Sequence, residues 1–140
     1  MAFTRGSENK RKRFNWHYEP FSKKVQILNE DGKEHTYSVH EVQRILARLY
    51  KEFGLNYFPL ANNVENLGNA TETMGLGMII LFEGKKEIRH AQGASYLGVV
   101  LENIGYLKWN GKTRGLEWRL IDNNFELSTI ENRLKRKIEE

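Results

Sequence analysis

Proton transfer near neutral pH falls most readily to histidine, and the chain has four: His17, His35, His40 and His90. No pair has the four-residue helical spacing, with a glutamate between, that metal-assisted hydrolysis uses. His35 and His40 straddle a strand and the start of a helix, so their spacing points to no metal site. His90 stands with Glu87 and Arg89, a group suited to acid–base work in a small nuclease or hydrolase. The chain has no cysteine, which removes thiol nucleophiles, disulfide scaffolds and zinc knuckles. Gly75-Leu76-Gly77 lacks the third glycine of a dinucleotide fingerprint, and Gly111-Lys112-Thr113 lacks the upstream glycine of a phosphate loop. No cofactor is expected.

Cations are the more informative set. The net charge of +4 is unevenly spread: residues 1–24 carry +5, residues 25–84 carry −4, residues 85–119 carry +4 and residues 120–140 carry −1. Phosphate binding needs clustered cations that release counterions. The clusters are Lys10, Arg11, Lys12 and Arg13 near the start, then Lys85, Lys86, Arg89, Lys112 and Arg114 in the second half.

The elements that position these residues follow from hydrophobic spacing. The chain has 140 residues, 39% hydrophobic and 29% charged, which suits one ordered domain and excludes a mostly disordered chain. Its longest apolar run, Met78 to Phe82, is far below the roughly 20 residues a bilayer span needs. Residues 1–13 lack periodicity and read as a flexible basic arm, leaving 14–140 as a single domain. Phe14, Trp16 and Tyr18 alternate with polar residues and predict a strand. Lys24 to Leu28 and Glu34 to Tyr37 predict two more, joined by an Asp31-Gly32 turn.

Ser38-Val39-His40-Glu41 is a capping box opening a helix whose apolar stripe runs from Val42 to Phe53, with Gly54 closing it. Pro59 is placed to open a short helix over Leu60 to Leu67. The Met78–Phe82 run is buried as either helix or strand; Glu72 favours a helix beginning near Thr71. Arg89 to Ile104 reads as a helix broken near Gly93. Alternation then predicts a hairpin in which Leu107, Trp109, Leu116, Trp118 and Leu120 face inward. That placement, with the period-two position of Trp16, favours packing of the three tryptophans over stacking on bases. Ser128-Thr129-Ile130-Glu131 is a second capping box. It precedes a helix with an Ile130/Leu134/Ile138 seam that would dock on the body or pair two copies as a homodimer.

Helix, glycine, apolar pair, strand, basic tip and strand succeed one another from Gln92 to Ile121. In that order the segment resembles the second half of a winged helix-turn-helix domain. The resemblance implies that the helix enters the major groove and that the hairpin wing touches phosphates or the minor groove. Gln92, Ser95 and Asn103 would then face bases, and Lys112 and Arg114 the backbone. The chain departs from the pattern in having only Lys85 to His90 for a positioning helix, and in carrying Glu102 with no Arg or Lys between His90 and Lys108.

The expected fold is therefore α+β: a small antiparallel sheet with helices, a C-terminal half that is winged-helix-like, and a C-terminal helix. The expected function is non-catalytic binding of nucleic acid, DNA first. The alternatives are a protein-interaction or assembly module, dimeric through the C-terminal seam, and the small nuclease. No secretory signal precedes Phe14, so a cytoplasmic location is expected, with no membrane partner.

Overall fold

The computed structural model describes residues 2–6, 11–61, 74–84 and 87–139, with side chains to residue 136. The chain folds as α+β. Period-two alternation builds the first sheet, four antiparallel strands in the order β1 (Ala2–Phe3), β2 (Arg13–Glu19), β3 (Lys24–Asn29) and β4 (Glu34–Ser38). Its register pairs Tyr18 with Val25 and Val25 with Tyr37. Phe14, Tyr18, Val25, Ile27 and Tyr37 are buried on one face, as alternation requires.

The first strand corrects an expectation. Residues 2–6 and 11–13, read as part of a flexible arm, are ordered against the body. Ala2 pairs with Phe14 and Phe3 with Arg13, and Thr4 exchanges two 2.9 Å hydrogen bonds with the Lys12 backbone. Two residues are too few to show a period, so the pairing left no pattern in the sequence.

Ser38 caps α1 (Val39–Phe53), its hydroxyl accepting from the Glu41 amide at 3.1 Å. Glu41 does not complete the capping box; its carboxylate turns inward to His90. The α1 stripe of Val42, Ile45, Leu46 and Leu49 is buried. Pro59 does not open a helix. It lies in β5 (Phe58–Pro59), which pairs with a later strand; most of the short helix expected beyond it falls outside the described residues. The Met78–Phe82 run is helical, in α2 (Leu76–Glu83), buried continuously from Leu76 to Leu81; the expected start near Thr71 falls outside the described residues. Arg44 of α1 donates to the Glu83 carbonyl at the end of α2, satisfying a helix-end acceptor.

The next helix is in two pieces, α3 (Ile88–Gln92) and α4 (Ala94–Asn103), meeting at Gly93. At the end of α4, Tyr106 N–H reaches the Leu101 carbonyl and Gly105 N–H the Glu102 carbonyl, with Gly105 at φ +86°, a Schellman closure. β6 (Leu107–Trp109) and β7 (Glu117–Leu120) follow, and the second sheet has the order β5-β7-β6. Leu107, Trp118 and Leu120 are buried as expected; Trp109 and Leu116 are only partly so.

The last helix, α5 (Leu127–Glu139), begins one residue before the expected cap Ser128. Glu131 accepts from the Tyr18 hydroxyl at 2.5 Å. Ile130 and Leu134 are fully buried within this one chain, in the same core cluster as both sheets. This corrects the dimer expectation: the seam is already covered, by β2 and α1, and offers neither residue to a second copy. The side chain of Ile138 lies outside the described part. Among the described residues no helix is long and apolar enough to cross a membrane.

Candidate nucleic-acid interface

An open cleft of about 760 Å³ lies where residues 4–6, the β3–β4 turn and the α3–α4 helix pair converge. Among the described residues its walls carry Arg5, Lys12, Lys33 and Arg89 against one carboxylate, Asp31; Asn29, His35, Gln92, Ser95 and Tyr96 add polar groups, and Leu116 closes one side. A shallower depression of about 640 Å³ shares Lys33, His35 and Arg89 and is edged by Glu34 and Glu87.

The cations are not equivalent. Arg5 is committed: its guanidinium grips Glu102 and lies 4.5 Å over the Trp109 ring. Lys12 is loosely paired with Asp31 at 4.0 Å, both exposed. Among the described residues, Lys33 and Arg89 have no carboxylate within ion-pair distance. They are the free positive charges of the cleft.

The cleft floor is stiff. Asn29 accepts from the Asp31 and Lys33 amides at 3.0 and 2.9 Å, fixing the turn, and donates to the Tyr96 hydroxyl at 3.3 Å. His35 stacks on Tyr96 with centroids 5.4 Å apart and an angle of 28°, and Tyr96 meets Phe14 edge-on at 5.1 Å. His35 is 8% exposed. Burial, then the charges of Arg89, His90 and Lys33, hold its imidazole below the usual histidine range, so it is neutral at pH 7. Among the described residues neither ring nitrogen has a hydrogen-bond partner; Nδ1 lies against Gly93, where a Cβ would stand 2.8 Å from it, and the ring lines both depressions.

Several expected residues meet here and others do not. Lys12, Arg89, Gln92 and Ser95 line the cleft. Arg11 lies over the Phe3 ring at 5.0 Å, and Arg13 faces Glu30 at 3.7 Å. Lys112 and Arg114 are exposed in the β6–β7 loop, which Asn110 ties together through Lys112 N–H and the Gly115 carbonyl. Asn103 is apart, in a separate depression with Asp122 and Arg133. Lys10, Lys85 and Lys86 lie outside the described residues. Arg5, Asn29, Lys33, His35 and Tyr96 were not singled out by sequence as cleft residues; the one local signal was Lys33 and His35 directly after the Asp31-Gly32 turn.

The expected recognition helix is corrected. Within α4, Ala94 and the run from Tyr96 to Leu101 are buried. Glu102 is occupied by Arg5 and by Trp118 Nε1 at 2.9 Å. Strand β1 packs on α4, and the Trp118 ring lies against Gly98. A helix enclosed this way has no continuous face for a DNA groove. Of the expected group of His90, Glu87 and Arg89, the histidine is turned inward. His90 is buried and donates through Nε2 to Glu41 at 2.5 Å, while its carbonyl accepts from Tyr37 at 2.8 Å.

Among the described residues no group of three or more His, Cys, Asp or Glu side chains is arranged to hold a metal ion. No family model, curated protein or solved structure matches the chain.

Proposed function

We propose that the protein binds nucleic acid through the phosphate backbone, without chemistry on it. The observation carrying this reading is the gathering of Lys12, Lys33 and Arg89 in one cleft with Gln92 and Ser95. Cations that are unpaired, as Lys33 and Arg89 are among the described residues, or loosely paired, as Lys12 is, release counterions from a phosphodiester chain. Amide and hydroxyl groups beside them contact sugar or base. Leu116 brings the β6–β7 loop to the same cleft, so Lys112 and Arg114 can extend the footprint along the backbone.

The winged-helix likeness supports the reading in modified form. What it keeps is the succession of α3, α4 and the hairpin. Contacts come from α3, the first turn of α4, the β3–β4 turn and the hairpin loop, because the rest of α4 is enclosed. The preference for duplex DNA rested on α4 as a groove reader and loses that support.

Fluorescence anisotropy of labelled oligonucleotides at several salt concentrations tests this. Binding should weaken with salt, and Lys33→Ala with Arg89→Ala should reduce the slope by about two, one per lost phosphate contact. Lys112→Ala with Arg114→Ala should remove about two more. No binding at low salt, or slopes unchanged in both variants, would overturn the proposal.

A further inference from the structure

We infer that the strand entering the cleft is single-stranded RNA and that His35 reads its ribose 2′-hydroxyl. This rests on the nucleic-acid reading above and names the partner of the same site. Three features of the cleft lead to it.

The first is access. His35 is 8% exposed and lies in a corner bounded by residues 4–6, the β3–β4 turn, α3–α4 and Leu116. A single strand can fold its sugar into such a corner. A rigid duplex, with both backbones on the outside of a stiff rod, cannot bring a ribose to its floor without a protruding element to meet it, and α4 is not available as one.

The second is position. Lys33 and Arg89 line both depressions together with His35. In a nucleic-acid backbone each ribose lies between two phosphates. Two free cations beside one imidazole place the sugar, more than the base, over that ring.

The third is chemistry. A neutral imidazole offers one N–H donor and one acceptor. With Nδ1 against Gly93, the nitrogen left to the cleft is donor or acceptor according to the tautomer; the 2′-hydroxyl can meet either, and it is the group by which a protein tells RNA from DNA. Stacking on Tyr96 fixes the ring in advance, and Gly93 backs it so closely that a Cβ there would collide with His35 and Tyr37. The hydrogen bond would therefore form with little ordering cost.

The test compares fluorescein-labelled oligouridine, oligodeoxyuridine and 2′-O-methyl oligouridine of equal length by anisotropy on the full chain. The bases are alike, so only the sugar varies. The expected result is about fivefold tighter binding of oligouridine, the worth of one net hydrogen bond. His35→Phe, which keeps a ring on Tyr96, should remove the preference, so that all three strands bind alike. Equal binding of ribose and deoxyribose strands by the wild type overturns the inference and leaves the phosphate reading intact. Equal binding of the hydroxyl and methoxy forms overturns it as well, since sugar shape would then be what is read. Failure to bind any of the three removes both proposals.

Discussion

Arg5 and Glu102 are 97 residues apart and form a two-pronged ion pair, Nε to Oε2 at 3.0 Å and Nη2 to Oε1 at 2.8 Å. The pair fastens the N-terminal segment across α4. A fork-to-carboxylate geometry is stronger than a single contact, although the Arg5 side chain is about one-third exposed. Arg5→Ala should lower stability by about 1–2 kcal/mol, because it leaves Glu102 with Trp118 alone. Hydrogen exchange at Phe3 and Thr4 should accelerate more than in β3. Unchanged protection there would mean that strand pairing alone holds the segment.

Glu41 and His90 join α1 to α3 in the interior. Both side chains are almost fully buried, so removing one strands the other without water. His90→Ala should cost about 3–5 kcal/mol in chemical denaturation. A double-mutant cycle with Glu41→Ala should show strong coupling, since the second removal relieves the stranded partner. Additive losses would place the energy in packing.

Gly98 has no room for a side chain: a Cβ would lie 2.5 Å from the Trp118 ring. Trp118 is fully buried, so moving its ring would disturb close-packed neighbours. Gly98→Ala should therefore destabilise by about 1–3 kcal/mol despite alanine's better helix propensity. A gain in the denaturation midpoint would show that the ring can move.

Alkaline pH should unfold the protein early. Burial raises the Tyr18, Tyr37 and Tyr106 phenols above their ordinary value, and the bond to Glu131 raises Tyr18 further. A raised folded-state pKa contributes stability that is complete below the unfolded value, near 10, and is lost as pH rises through it. Melting temperature should fall from about pH 10 upward, with phenolate absorbance appearing together with unfolding. Tyr18→Phe should make the decline shallower.

Most of the scaffold was legible because its signals are local. The β2–β4 meander, α1 and the β6–β7 hairpin each carry a period, a cap or a turn within a dozen residues. β1 and β5 are two residues long, too short to carry a period, and Pro59 has a fixed φ that suits a helix start and a strand edge alike. The site was legible only in part. Arg89, Gln92 and Ser95 share one helical segment whose sequence suggests binding. Arg5 and Lys33 enter the cleft from the N-terminal segment and a distant turn, so their convergence belongs to tertiary structure. α4 misled for a related reason: spacing shows which face is apolar, while the cover over the other face comes from β1, in a segment read as an arm.

The enclosure of α4 also bears on how the protein can change. Randomising residues 97–101 would sort variants by whether they fold, and survivors would keep the parent's partner. Altered preference should arise instead at Lys33, Arg89, Lys112 and Arg114, whose side chains are exposed and can be exchanged within about 0.5 kcal/mol of the parent's stability. Folding and selectivity are thus housed on separate parts of the chain.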